Sequence, residues 1–174
     1  MSATDEGGTT RLVTRSGLAL DVRPARPDDA LLVATFFEHV APEDLRFRFL
    51  SAQSHVDASQ VEAMTHVDHD RTEHLLAFDA TSGACVASAM LAGDAAGAVA
   101  EVAISVAAEQ RCQGVGWTLL DHVRHVARAR GYRQLQSIEN RANCAAIELE
   151  REMGFAVRPC EGDPGSVIVE ANLD

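Results

Sequence analysis

Long apolar runs are absent from this 174-residue chain. No stretch approaches the ~18 apolar residues that a membrane-spanning helix needs, so a helical membrane protein is excluded and no membrane partner is expected. Met1 to Thr10 is polar and has no hydrophobic segment of the signal-peptide kind, which makes a cytoplasmic location the expectation. The four cysteines, Cys85, Cys112, Cys144 and Cys160, include no CxxC pair, which argues for free thiols over a zinc site or a disulfide frame. A basic excess is missing as well. The formal net charge is −11, whereas nucleic-acid binding needs a basic face. An acidic surface concentrates cations such as amines, although solubility alone accounts for the charge. Tyrosine occurs once, at Tyr132, so any mechanism calling for a tyrosine must find it there. No internal repeat or linker interrupts the chain. Residues 1–10 hold almost nothing to bury and read as a disordered tail, and residues 11–174 read as a single domain.

What is present is an alternation of strand and helix signals. Leu18 to Arg23 alternates as a strand, and Pro24 and Pro27 end it. Helical spacing then runs to about Val40, again from Pro42 through Leu50, and from about Ala58 to His66. Strands follow at Glu73 to Phe78, Cys85 to Leu91 and Val99 to Val106. A helix from Trp117 to Arg130, a strand at Gln134 to Glu139 and a helix at Asn143 to Met153 come next. Phe155 to Val157 and Ser166 to Glu170 close the chain as a hairpin. Runs of strands mixed with βα units indicate an α/β (α+β) fold: a mixed, mostly antiparallel sheet of about seven strands with helices on both faces.

The most informative stretch is Arg111-Cys112-Gln113-Gly114-Val115-Gly116, between the Val99 to Val106 strand and the following helix. Such a turn aims unpaired N–H groups at one point, with the positive end of the helix dipole behind them. Glycine suits it because a side chain would block an approaching phosphate and because such turns use positive φ. Paired glycines before a helix often form only a loop, so spacing alone leaves a phosphate site and a plain connection both open. The Walker pattern is excluded because Trp117-Thr118, not Lys-Ser/Thr, follows Gly116. The dinucleotide fingerprint is excluded because Leu119 occupies the place of its third glycine.

Arg111-x-x-Gly114-x-Gly116 after a strand resembles the acyl-CoA loop of the GNAT acetyltransferase superfamily. Asn143-Cys-Ala-Ala146-Ile-Glu-Leu149-Glu-Arg-Glu-Met-Gly154-Phe155 resembles that superfamily's Asn-x-x-Ala-x-x-Leu-Tyr-x-x-x-Gly-Phe segment. Val22 to Asp29, Leu45 to Phe49 and His66-Val67-Asp68 resemble the GNAT domain of bacterial protein-lysine acetyltransferases. The resemblance covers about residues 18 to 171. It implies a GNAT-like fold and an N-acetyltransferase that moves acetyl from acetyl-CoA to a primary amine, in a protein lysine or a small molecule, by direct attack in a ternary complex. It also implies that Ile104, Ser105 and Val106 meet the pantetheine arm. Arg111, Gln113, Gly114, Val115, Gly116, Trp117 and Thr118 would then surround the pyrophosphate. Asn143 would contact the arm, and as an asparagine before a helix it equally serves as an N-cap.

Glu101 is the candidate general base, taking a proton from the substrate ammonium through water; strand alternation puts it on one face with Ala103 and Ser105. A partly buried carboxylate suits that work, and the plain alternative is a solvent-facing strand residue. One match fails: Glu150 stands where many of these enzymes carry a tyrosine general acid. Either CoA leaves without that acid, Glu150 or a water replaces it, or the domain is a non-catalytic acyl-CoA-binding sensor. His66, His69, His122 and His125 read as surface or capping histidines and no metal is expected. Cys112 raises the further idea of a thiol that blocks the loop when oxidised. The acceptor groove is expected near residues 36–66 and 158–168, and the chain is expected to be a monomer or homodimer.

Overall fold

The computed structural model describes Ala3, Thr4 and residues 8–174. Nine strands form one sheet among these residues: β1 (Ala3–Thr4), β2 (Thr10–Val13), β3 (Ala19–Pro24), β4 (Thr72–Asp79), β5 (Cys85–Gly93), β6 (Val99–Val106), β7 (Gln134–Asn140), β8 (Ala156–Pro159) and β9 (Ser166–Asn172), in the order β1-β2-β3-β4-β5-β6-β7-β9-β8. Five helices accompany them: α1 (Ala30–Glu38), α2 (Pro42–Phe49), α3 (Ala58–Thr65), α4 (Val115–Ala129) and α5 (Cys144–Glu152). The sheet is the expected mixed, mostly antiparallel one. Its strand number exceeds the expected seven by β1 and β2, which fall in and beside the supposed tail. The rest of that tail, Met1, Ser2 and residues 5–7, lies outside the described residues.

Strand alternation sorts the helices onto the two faces. Leu75, Ala77, Ala89, Leu91, Ala100 and Val102 point to α4, where they meet Val115, Leu119, Val123 and Ala127. Their neighbours Leu76, Phe78 and Met90 point the other way, to Val33, Phe36 and Phe37 of α1, Leu45 of α2 and Val61 and Met64 of α3. Local chemistry sets the helix ends. Pro42 occupies the first turn of α2. Asp57 caps α3, its carboxylate accepting from Gln60 N at 2.9 Å. Among the described residues no helix is long and apolar enough to cross a membrane.

One parallel pairing positions the site. Every neighbouring pair of strands is antiparallel except β6 and β7, which α4 connects as a crossover. Their register runs only from Val99↔Gln134 to Glu101↔Gln136. Beyond Glu101 the strands part. β6 stays paired with β5 through Val106↔Ala87, and β7 stays paired with β9 through Asn140↔Ser166. The sheet therefore opens as a wedge whose apex is at Glu101.

The α1 face is anchored by an ion pair between half-buried Arg23 and buried Asp29. Arg23 donates to Asp29 through Nη1 at 2.7 Å and Nη2 at 2.8 Å, and Arg26 N donates to the same carboxylate at 2.8 Å. Arg23 holds the Asp29 carboxyl below its ordinary range. A depressed folded value means that the pair's contribution is complete above the ordinary carboxylate range and is lost as pH falls through the folded value. Asp29→Asn is expected to destabilise the protein by on the order of 2 kcal/mol at neutral pH, because it leaves a half-buried guanidinium without its charged partner. Its deficit relative to wild type should shrink as pH falls from 7 to 3, which denaturant titrations at those two values would read.

Candidate active site

The wedge between β6 and β7 is the wall of a cleft of about 310 Å³. Val102 to Val106 line it on one side and Ile138 and Glu139 on the other. The glycine loop and the start of α4 close one end through Arg111, Cys112, Gly114, Val115, Gly116 and Trp117. Asn143, Ala146, Leu149 and Glu150 of α5 and Asp44, Phe47 and Arg48 of α2 complete it.

The loop has the predicted conformation. Cys112 has φ 62° and Gly114 φ 79°, both left-handed, and Gly114 is the N-cap of α4. Gly114, Val115 and Gly116 line the cleft, and the first N–H groups of α4 have no helix carbonyl to accept them. β2 and the turn after it brace the loop from outside. Ser16 Oγ donates to the Gln113 carbonyl at 2.8 Å, and the Arg15 guanidinium stacks on the Trp117 ring at 4.1 Å. Neither partner was named from the sequence, since the strand that carries them was not recognised. Arg111 pairs with Asp44 of α2 across the cleft.

The predicted donor-side residues separate into two groups. Ile104, Ser105, Val106, Arg111, Gly114, Val115, Gly116, Trp117 and Asn143 all line the cleft. Gln113 and Thr118 do not. The Gln113 side chain turns back to donate to the Glu109 carbonyl at 3.2 Å, and Thr118 lies half-buried on the next turn of α4. Asn143 has two observed placements. It caps α5, Oδ1 accepting from Ala146 N at 3.5 Å, and it faces the cleft. For Glu101 the sequence leaves open both a partly buried and a solvent-facing position. It is exposed, at the apex of the wedge and outside the cleft wall, because β7 departs at that residue.

The buried carboxylates are elsewhere. Glu150 is only 5% exposed and Glu139 is half-buried, and both face the cleft. Ser137 Oγ donates to Glu150 Oε1 at 2.6 Å, and Asn143 Nδ2 donates to Glu139 Oε2 at 3.0 Å. Burial pushes Glu139 up to about 7 and, with the neighbouring Glu139 charge, pushes Glu150 up to about 8. Among the described residues three buried side-chain polar atoms lack a hydrogen-bond partner: Arg48 Nε, Ser105 Oγ and Glu150 Oε2. All three residues line this cleft. Groups so placed are normally satisfied by protein or by water, so three unpaired atoms around one cleft leave polar groups that water or a ligand can satisfy. The helical spacing of Leu45, Arg48 and Phe49 is the signal that puts Arg48 on the inner face of α2.

The raised carboxyls set a pH dependence. In the folded chain Glu139 and Glu150 hold their protons more tightly than in the unfolded chain. Between about pH 5 and 8 the folded state therefore binds more protons, and stability falls as pH rises. The melting temperature should drop by on the order of 5 °C across that window, and by less in Glu150→Gln. Calorimetric scans at three pH values would check it.

The remaining candidates are engaged locally. His69 Nδ1 lies 2.8 Å from Glu73 Oε1, and His125 Nδ1 lies 2.7 Å from the Asp121 carbonyl. No group of three or more His, Cys, Asp or Glu among the described residues could hold a metal. All four cysteines are free thiols; Cys112 and Cys144 are exposed, and Cys112 lines the cleft.

Comparison with known proteins agrees with this geometry. Residues 37–155 match the model of the acetyltransferase (GNAT) family. Acetyltransferase PA5475 of Pseudomonas aeruginosa is 25% identical over 149 residues, 84% of this chain and 80% of that protein. The GNAT domain of S. lividans PAT is 28% identical with a TM-score of 0.87, covering 98% of this chain and 99% of that one. The fold is also that of yncA from Salmonella typhimurium, solved with its cofactor acetyl-CoA: TM-score 0.70, 18% identity, 89% of this chain and 94% of that one.

Proposed function

Because the chain belongs to the GNAT acetyltransferase family, we propose that it transfers the acetyl group of acetyl-CoA to a primary amine by direct attack within a ternary complex. The observation that carries this reading is the wedge itself. A strand edge left unpaired by β7 beyond Glu101 runs toward a loop that presents the N-terminus of α4. A pantetheine arm pairs with such an edge as a further strand does, and a pyrophosphate suits such a helix end. Val102 to Val106 would hold the arm; Gly114, Val115, Gly116 and Trp117 would hold the phosphates. Arg15 and Arg111 supply cations beside them.

Glu101 is the general base of this proposal. Its exposure at the apex leaves it open to an acceptor arriving from solvent. The amine must lose a proton before its lone pair can attack the thioester carbon. The C–N bond then forms, the C–S bond breaks and the sulfur leaves with the electron pair. The sequence resemblance to the GNAT domain of bacterial protein-lysine acetyltransferases favours a protein lysine as acceptor over a small amine. All 15 of the chain's Lys+Arg residues are arginine, so an acetyl-lysine produced in an assay lies on the acceptor. The four free thiols suit a reducing compartment, and a cytoplasmic setting belongs to the proposal. So does action as a single domain over residues 11–174, as a monomer or homodimer.

Titration calorimetry with acetyl-CoA tests the donor side. Saturable binding at micromolar concentration, abolished by excess CoA, is the expected result. No heat at high micromolar acetyl-CoA would rule the proposal out.

A further inference from the structure

One cation in the cleft has no partner. Arg48 follows Asp44 by four residues, one turn along the same side of α2, and both line the cleft. Asp44 pairs with Arg111 of the glycine loop. Arg48 has no carboxylate within ion-pair distance among the described residues, and its Nε is buried without a partner. Its guanidinium stands 4.7 Å from the Phe49 ring centroid. Ser105 is a second such group in the cleft wall, 4% exposed and with its Oγ unpartnered. Strand alternation puts Ser105 on the face of β6 that carries Glu101 and Ala103. Ala107, the next residue on that face, packs in one cluster with Leu45 of α2. A guanidinium and a hydroxyl thus reach one cleft from two packed elements. We propose that Arg48 and Ser105 form a subsite for a carboxylate that one of the two substrates carries, either on the acyl group of the CoA thioester or beside the amine of the acceptor. The proposal rests on the acyl-transfer reading above and names a chemical feature of its substrates.

The cleft's own carboxyls are engaged elsewhere. Asp44 holds Arg111, Glu139 accepts from Asn143 Nδ2 at 3.0 Å, and Glu150 accepts from Ser137 Oγ at 2.6 Å. Arg48 feels the charges of Glu101 at the apex and Glu139 on β7 without bonding to either. Burial disfavours its charged form, yet a guanidinium keeps its proton in a protein, so the charge stays in the wall. An unpaired cation in a desolvated wall is costly, and a carboxylate brought by a substrate offsets that cost. The planar fork of arginine matches a carboxylate through two parallel N–H···O bonds, and the Ser105 hydroxyl adds a further donor. Burial holds Glu139 near 7 and Glu150 near 8, which lessens the negative charge that an incoming carboxylate meets. Position separates this subsite from the phosphates. Asp44 marks the loop end of α2, whereas Arg48, one turn on, feels Glu101 and so serves the reacting end.

Two arms test it on the full chain. Titration calorimetry with acetyl-CoA, malonyl-CoA, succinyl-CoA and free CoA reads the donor. CoA release with lysine peptides that carry glutamate or glutamine beside the lysine reads the acceptor. In one arm the acidic ligand should be favoured about 10- to 100-fold, the range for hydrogen bonds to a charged group. The arm that shows the preference identifies the source of the carboxylate. The preference should vanish in Arg48→Met, return in part in Arg48→Lys, and shrink about fivefold in Ser105→Ala. The wild-type comparison needs no variant, so it decides the matter even where a substitution prevents folding. A preference below about threefold in both arms, or one that Arg48→Met retains, would overturn the subsite and leave the transfer reading standing. So would an equal loss of affinity for all three thioesters and free CoA in Arg48→Met, which would put the guanidinium on the phosphates. A wild type that binds no CoA thioester would overturn both.

Discussion

Gly116→Asp is expected to abolish measurable acetyl-CoA binding while leaving the free protein at least as stable as wild type. Gly116 is the second residue of α4. A Cβ built there would meet only Val106 Cγ2 at 3.8 Å and Leu149 Cδ1 at 3.9 Å, ordinary contacts that need no movement. The helix gains from the exchange. An aspartate in the first turn complements the dipole by about 0.3–1 kcal/mol, and loss of a helical glycine adds up to about 1 kcal/mol. The same N–H groups and the same positive pole are what the proposed site offers to a pyrophosphate. A resident carboxylate competes for the donors and repels the phosphate charge. A loss of at least ~100-fold, about 2.7 kcal/mol, should follow. Calorimetric titration and a melting curve measured together separate the two effects. Wild-type acetyl-CoA affinity in this variant would remove the glycine loop from donor binding.

Glu101→Gln should lower turnover by about 10²–10³-fold and leave acetyl-CoA affinity within about twofold. The rate effect is that of removing a positioned base, and glutamine keeps the shape while losing the proton acceptor. The affinity expectation follows from geometry, because Glu101 is exposed at the apex and is not part of the cleft wall. Rate and binding are thus divided between two ends of one strand: Glu101 at the apex, the arm-pairing edge beyond it. Steady-state rates with acetyl-CoA and a lysine peptide, beside a calorimetric titration of the donor, measure both quantities. Equal rates in the two proteins would take Glu101 out of the mechanism.

Much of this architecture was legible in the residues, because the periods of its long elements are clean. The helix that buries Leu119, Val123 and Ala127 repeats at three- and four-residue steps, and the apolar run that becomes β6 sits directly before the glycine loop. β2 was not legible. It is four residues long and buries only Leu12, so its alternation is too brief to stand out, yet its turn carries the Ser16 and Arg15 contacts that brace the loop. The wedge was not legible either. Strand signals do not say where two neighbours stop pairing, and that point decides that Glu101 is exposed.

Side-chain direction accounts for the other differences. Backbone N–H groups make the loop, so glycine spacing marks the stretch, but packing turned the Gln113 side chain to the Glu109 carbonyl. Glu150 registered in the sequence as the failure of a tyrosine match. Its burial beside Ser137 and Glu139 appears only once α5 lies against β7, since the three residues come from two elements.

The proposed reaction is amine-dependent consumption of acetyl-CoA. The direct measurement incubates the chain with acetyl-CoA and, separately, polyamines, amino acids, aminoglycosides and lysine peptides. Released CoA is quantified by chromatography, because the exposed thiols Cys112 and Cys144 would react with a thiol reagent. The expected result is CoA release that requires an amine and matches acetylated product one to one. Tight acetyl-CoA binding with no release across the whole panel would contradict it and identify a binding domain without turnover.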